Sequence, residues 1–537
     1  MRDGASSVRT AVSNLLLALD RPLASFHLVV GLTFVLTVMG VIMVLSASSV
    51  EDYTANGTAY GLFVSQLTYA ALGVVAFLVA LHLRVTLLRR VSLAAIVVSV
   101  GLLIAVLVPG IGHAVGGGQR WIGLGPITVQ PSEVVKVALI LWGAHLLADR
   151  AVGAPMKQLV LPLVPVAVLV AGLIALEPNL STAIIIAILV GTMLYYAGLS
   201  VRIFVALIMA ALGAAVILAF TEGYRSARVR SFVGGWTGTA RDTLGADYQP
   251  TQAKYSLADG GFFGVGLGGS KAKWSYLPNA HNDFIFAIIG EELGYVGAAL
   301  TIGMFALLTW VGLRIARRQA DPYLRLVAAT ITTLIATQAI INMGYVVGLL
   351  PVTGIQLPLL SAGGNSIILV LFLFGLLASA ARHEPEAIAA LSTGRDSRFG
   401  RWMRLPKPRP YVAPYRATPD PRRAPDARRA TDPRRPDPRL GARPGGYPAP
   451  SGRPRPGGSY GGYVGPSPYD RAPYGDPSLN RPRPGGQARG PQARSAQVRA
   501  AQPRGTQSRG PETAAQPWRR GGVGDAPRRH PDRRRNP

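Results

Sequence analysis

Cysteine is absent from the chain, which excludes a disulfide framework and thiol chemistry while leaving the compartment open. Acidic residues are scarce: 27 Asp and Glu face 55 Lys and Arg, a formal net charge of +28. Also missing are a histidine pair at metal-ligand spacing, a nucleophile elbow and a Walker phosphate loop, so the corresponding chemistries lack their residues. The glycines of "DGGFFGVGLGG" at 259–269 invite a nucleotide reading, but no βαβ unit surrounds them.

What is abundant is apolar sequence. Hydrophobic residues make up 49% of 537 positions, and that share beside so large a charge implies two kinds of polypeptide joined end to end. From Gly394 onward there are 32 Lys and Arg against 10 Asp and Glu, a net charge of +22. This stretch is rich in Pro, Gly, Arg, Ala and Gln and cannot bury enough apolar surface to offset chain entropy. Its fragments "PDPRR" and "GRPRPGG" recur imperfectly but offer no apolar face to stack. The expected division is an N-terminal segment at 1–26, a membrane domain at 27–385 and a disordered basic tail at 386–537.

The membrane domain reads as an all-α polytopic protein. Apolar runs of a length that crosses a hydrocarbon core of roughly 30 Å fall at 27–48, 62–82, 92–110, 132–148, 159–176, 181–198, 203–220, 286–313, 326–349 and 366–381. That gives about ten transmembrane helices. "SAS" at 46–48 loosely resembles a cleavage site, but the first run is too long for a signal peptide's apolar region and more spans follow it. Arginines and lysines cluster before the first span and after the second, fourth, sixth and eighth; such clusters mark the cytoplasmic side, so both termini are expected there. The outward loops are then 49–61, 111–131, 177–180, 221–285 and 350–365. The fourth, 221–285, is far longer than an idle connection, and it carries Arg225, Arg228, Arg230, Arg241, Lys254, Lys271 and Lys273. Translocation of any long loop regardless of its charge and an anion-binding surface both account for these.

Ionisable groups at membrane depth are costly and suggest function. Four places qualify, all on the outward side. "GGGQRWIGLGPITVQPSEVVKVALI" supplies Gln119, Arg120, Glu133 and Lys136, the last two sharing a helix face as an ion pair. "EPNLSTA" places Glu177 at the rim. "YLPNAHNDFIFAIIGEELGYVG" supplies His281, Asp283, Glu291 and Glu292, with Lys271 and Lys273 shortly before them. "LPVTGIQLPLLSAGGNS" at 350–366, including Ser361, Gly363 and Gly364, is irregular backbone of the kind tolerated at membrane depth only against protein or a wet cavity. A single cavity open outward and sideways to lipid would unite them. A carboxylate there, Asp283, suits general-base attack by a hydroxyl, with cations stabilising a departing phosphate anion. Glu291 and Glu292 read as groups that cap or pair early in the eighth span, and His281 as an orienting hydrogen-bonding residue.

"QPSEVVKVALI", "LADGGFFGVGLGG", "YLPNAHNDFIFAIIGEELGYVG" and "GLLPVTGIQLPLLSAGGNS", in this order, resemble the SEDS family of bacterial cell-wall glycosyltransferases over roughly residues 25–385, and its division-type members more than its elongation-type ones. The resemblance implies polymerisation of lipid II into peptidoglycan strands at the outer face of the cytoplasmic membrane, during septal wall synthesis. Matching H-x-D-F-I-F makes Asp283 the catalytic aspartate. Matching Q-P-S-E-x-x-K and the preceding R-W brings in Glu133, Lys136 and Arg120, and the cavity motifs add Gln119, Lys273, His281, Ser361, Gly363 and Gly364 as substrate-binding residues. The chain departs from the family pattern at Asn179, Ser181, Asn282 and Asn365. Inversion is the implied outcome, with undecaprenyl pyrophosphate leaving from the growing chain, held by Arg120, Lys136 or the loop lysines. No cofactor is required by the pattern; a divalent Mg2+ or Mn2+ ion at the pyrophosphate is an open expectation without a dedicated cage. The implied partners are a class B penicillin-binding protein of the FtsI transpeptidase type and other division proteins. The basic tail suits an acidic segment of the cytoskeletal protein FtsZ or anionic membrane lipid, and nucleic acid least. A lipid II flippase, an elongation-type polymerase and a non-catalytic scaffold are the competing readings.

Overall fold

The computed structural model describes residues 21–412 apart from 116–117, 125–126, 151–154, 178, 207–208, 211–212, 214–222, 238–246, 275–276, 278–279, 395 and 397. The chain divides into two units, 1–424 and 425–537, and the second lies outside the described residues.

Apolar composition sets the first helices: α1 (Ala24–Asn56), α2 (Gly61–His82) and α3 (Val85–Leu107). A three-stranded antiparallel sheet follows, β1 (Gly112–Val115), β2 (Gly118–Leu124) and β3 (Ile127–Val129), where the sequence suggested only a loop. Then come α4 (Pro131–Ala148), with proline in its first turn, α5 (Met156–Leu176) and α6 (Leu180–Tyr196). The long fourth loop holds two helices of its own, α7 (Gly223–Thr237) and α8 (Tyr248–Asp259). The chain continues through α9 (Ile285–Arg318), α10 (Pro322–Val346) and α11 (Asn365–Arg382). Eight of the described helices are long and apolar enough to cross a membrane, and α6 is a shorter apolar one. Nine of the ten expected spans therefore coincide with helices; the remaining one, 203–220, lies mostly outside the described residues, with 201–206 helical.

Packing sorts these helices into an interior and a lipid-facing shell. Of the most apolar stretch of α11, 78% is buried, against 22% for α2. Phe34, Val64, Val97, Leu161 and Val168 are exposed on the outer helices, as hydrocarbon solvent permits. Lipid supplies no hydrophobic drive between helices, so close backbone approach takes its place. Between α2 and α11, a Cβ on Gly375 would lie 2.5 Å from the Phe77 carbonyl oxygen, and one on Gly73 would lie 2.5 Å from Leu371.

The α9 helix is broken at Gly294, whose φ of 67° and ψ of −166° are outside helical space. The glycine-rich loop docks into the break backbone to backbone. Val265 and Gly266 N–H donate to the Glu291 and Glu292 carbonyls, and Tyr295 and Val296 N–H donate to Gly261 and Phe262. These bonds satisfy groups that the break leaves without helical partners. The glycines thus serve close approach rather than a nucleotide.

At the opposite end of the helices, the first and last parts of the domain meet. The sequence puts the start of the tail at 386, but α12 (Pro385–Ser392) and α13 (Arg398–Trp402) are folded. Arg382, buried on α11, reaches Asp396 at 3.3 Å and stacks over Phe26 of α1 at 5.4 Å. Phe399 and Met403 pack against the core, and Leu405 is buried within it. Apolar anchors among the arginines and prolines carry ordered structure past the expected boundary. Arg89 is held nearby by Asp321, the cap of α10, at 2.6 Å.

Candidate active site

Residues 281–284 lead into α9 and are fixed mainly by backbone contacts to α10 and the 350–366 loop. The Asp283 carbonyl accepts from Asn342 Nδ2 at 3.0 Å and Tyr345 OH at 2.7 Å, and both donors also reach the Ile355 carbonyl. Ala362 N–H donates to the His281 carbonyl at 3.0 Å, and Gln356 Nε2 donates to Asn282 Oδ1 at 2.7 Å. Phe284 is buried edge-on against the Tyr345 ring. With its main chain pinned, Asp283 turns its carboxylate toward Gly354, where a Cβ would stand 3.6 Å from Oδ2. The residue keeps some exposure. Its carboxyl is nonetheless packed deeply enough that desolvation pushes its pKa above the usual carboxylate range, partly offset by Arg228, His281 and Arg120. That balance favours a base stronger than a free aspartate.

Two further contacts reach the same loop, from α6 and α7. Ser181 Oγ donates to the Thr353 carbonyl at 2.8 Å, and Arg228 of α7 donates to the Val352 carbonyl at 3.1 Å. Arg120, on β2, donates from Nε to the Glu177 carbonyl at 3.0 Å. Glu177 is fully buried, and desolvation outweighs Arg120 to raise its carboxyl to about 8. His281 Nδ1 lies 3.1 Å from Glu51 on α1. Among the described residues no three His, Asp or Glu side chains gather to hold a metal. A Mg2+ or Mn2+ ion would therefore need most of its ligands from a substrate's phosphates.

Comparison with known proteins decides the family. Residues 26–386 match the FtsW/RodA/SpoVE family of cell cycle proteins. The chain belongs to this family. It is 48% identical over 397 residues to the probable peptidoglycan glycosyltransferase FtsW of Mycobacterium tuberculosis, covering 74% of this chain and 75% of that protein. It is 37% identical to stage V sporulation protein E of Bacillus subtilis, over 66% of this chain and 96% of that protein. Among solved structures it resembles a chain of a peptidoglycan synthase complex, at a TM-score of 0.55 and 26% identity over 66% of this chain and 97% of that one. It also resembles RodA of Thermus thermophilus, at a TM-score of 0.50 and 25% identity over 66% of this chain and 97% of that one. Membership and the run of apolar helices make it a multi-pass membrane protein.

Within this FtsW/RodA/SpoVE member, the expected site residues separate into two groups. Arg120 and His281 act electrostatically on Asp283. Ser361 accepts from Leu357 N–H at 2.8 Å and so shapes the loop, while Gly364, at φ 47°, turns the chain into α11. A Cβ on Gly363 would lie 2.6 Å from Gln356 Oε1 and disturb the Asn282 contact. Lys136 and Glu133 form their pair at 2.7 Å. Gln119 instead holds its own hairpin, donating to the Val108 and Gly112 carbonyls. Lys273 sits on the Gly268 carbonyl and 3.9 Å from Glu292, and Lys271 lies 3.8 Å from Asp259. The loop lysines near Asp283 in sequence thus contact the docked loop, and Arg228 joins Arg120 as a cation acting on Asp283. Glu291 binds Ser270 Oγ and Lys271 N–H, and Glu292 binds Ser46, as pairing groups. Asn342 and Tyr345 escaped the sequence reading; an amide inside an apolar span was the available signal.

Three departures from the family pattern have local roles. Asn179 caps α6 by accepting from Thr182 N–H, Ser181 ties α6 to Thr353, and Asn282 receives Gln356.

Proposed function

We propose that this chain is a peptidoglycan glycosyltransferase that polymerises lipid II, with Asp283 as its base. The observation that carries the reading is the pinned backbone of Asp283, which leaves a carboxylate of raised basicity beside Arg228 and Arg120. Asp283 takes the proton from the 4-hydroxyl of an acceptor lipid II. The oxygen forms a bond to the anomeric carbon of the growing strand, and the bond to undecaprenyl pyrophosphate breaks, its electron pair leaving with the phosphate. Arg120 and Arg228 stabilise that anion; a phosphate leaving group needs no proton, so one carboxylate suffices. The site faces outward with both termini cytoplasmic, on the distribution of basic loops. A class B transpeptidase partner is supported by the likeness to a synthase complex described as coordinating polymerization and crosslinking. The similarity to proteins named FtsW supports septal work, readable as mid-cell enrichment of a fluorescent fusion, and FtsZ remains the partner proposed for the basic tail.

The test is polymerisation of purified lipid II by the full chain with its transpeptidase. Asp283→Asn keeps the size of the side chain and removes the base, and should abolish strand formation while folding is kept. Full polymerisation by that variant would end the assignment. Wild-type activity should rise with pH through the raised pKa of Asp283, because the reactive form is the deprotonated one.

A further inference from the structure

A shallow recess, open to solvent and with a cavity volume of about 50 Å³, lies between α7, α8 and the end of α10. Its walls include Arg228, Phe232, Trp236, Asp247, Lys254 and Tyr345. Tyr345 links it to the site already described: the residue borders the recess, and its hydroxyl donates to the Asp283 carbonyl at 2.7 Å. Arg228 is shared in the same way, lining the recess and donating to Val352. The recess and the Asp283 site thus have Tyr345 and Arg228 in common.

The chemistry of the walls selects among ligand classes. Trp236 is 67% exposed, and Phe232 meets it edge-on at 6.4 Å between centroids. An exposed indole braced by a second ring is a platform for a flat apolar face with polar edges, as a pyranose has. Lys254 is exposed and folds across Gly348, whose φ of 84° and lack of Cβ make room for the lysine stem. Two cations suit a carboxylate, and Asp247 on the same wall suits hydroxyl or amide donors. A prenyl chain would leave the charges without a purpose, and a bare phosphate would leave the indole without one. We infer that the recess is a subsite for the glycan strand already made, seating a pyranose against Trp236 and a carboxylate of its peptide stem at Lys254.

This inference rests on the proposed polymerase reading, and its test separates the two. The probe is a lipid-free, uncrosslinked tetrasaccharide of alternating N-acetylglucosamine and N-acetylmuramic acid with peptide stems. Lacking pyrophosphate, it reports binding without turnover, measured calorimetrically on the full-length protein in detergent. Trp236→Ala should weaken binding about tenfold, and Trp236→Phe should keep it within about threefold. Lys254→Met should weaken it about fivefold at low salt and flatten its salt dependence. Chitotetraose, a neutral chain, should bind in a manner sensitive to Trp236 and indifferent to Lys254. In polymerisation assays Trp236→Ala should shorten the strands. If wild type polymerises lipid II but does not bind the tetrasaccharide, or if Trp236→Ala and Lys254→Met both bind it like wild type, the subsite is refuted and the polymerase stands. Should Trp236→Ala fail to fold, Lys254→Met and the chitotetraose comparison decide alone. Binding with the predicted sensitivities but no polymerisation would overturn the polymerase and leave a glycan-binding recess.

Discussion

Replacing Lys136 tests whether its pair with Glu133 belongs to the reaction or to the fold. Its ammonium lies 2.7 Å from Glu133 Oε1, with 3% and 17% of the two side chains exposed. At that separation and an effective dielectric constant of about 20, the attraction is about 6 kcal/mol. Desolvation of both ions opposes it, so the intact pair is nearly neutral as a unit, whereas removing one member costs about 3–5 kcal/mol. Lys136→Met should therefore lower thermal stability in detergent markedly. Adding Glu133→Gln should recover most of the loss, with a coupling of about 2 kcal/mol between the two sites. Activity should behave differently. If the lysine serves the substrate, the double variant is stable and inactive. Recovery of polymerisation together with stability would show that the pair is structural and refute its place among the binding residues.

Three further outcomes are expected. Gly294→Ala forces a side chain into a conformation reserved to glycine, at about 1–3 kcal/mol, and drives Cβ into backbone atoms of Phe262 and Gly264; lower thermal stability and faster proteolysis at 260–270 should follow, and unchanged melting would contradict the docked loop. Glu177 is raised in the folded state from 4.5 to about 8, so the native state binds the extra proton and its contribution falls as pH rises from 4.5 through 8; Glu177→Gln should flatten that part of the stability profile, and an unaltered profile would mean the carboxyl is not desolvated. Truncation after residue 412 should preserve folding and polymerisation, whereas truncation after Ser392 removes Asp396 and leaves Arg382 buried without that partner, at about 3–5 kcal/mol; equal stability of the two truncations would show that the 398–405 packing does not matter.

The long spans were legible because a bilayer imposes a length on apolar runs, and no tertiary detail is needed to see it. The sheet at 112–129 was not, since its strands are short and glycine-rich and owe their pairing to their seat over α3 and α4. Asp283 was singled out by its motif, and Arg120, which acts on its carboxyl, by the polar run that precedes α4. Arg120 was legible as a cation near Asp283 and Arg228 was not, for a physical reason. Lys271 and Lys273 are near Asp283 along the chain, but the carboxylates of Glu291 and Glu292 organise that loop around the break in α9, and Arg228 arrives from a helix more than fifty residues upstream. Composition also set the start of the tail too early, because an average over a basic stretch hides Phe399, Met403 and Leu405.

The seam between the first and last helices imposes an order on biogenesis. Ser25 and Glu384 are 359 residues apart in sequence and hydrogen-bonded at 3.4 Å, and Phe26 waits equally long for Arg382 and Phe399. When α1 leaves the ribosome, its partners at this end, Arg382, Glu384 and Phe399, have not yet been made. The nascent helix must hold its place in the bilayer through most of synthesis, and it acquires these final neighbours only after residue 399 has emerged. Closure of the domain is therefore a late, long-range event. A chain interrupted just short of it would be fully inserted yet unclosed, presenting a buried arginine and an uncovered Phe26 to the quality-control machinery of the membrane.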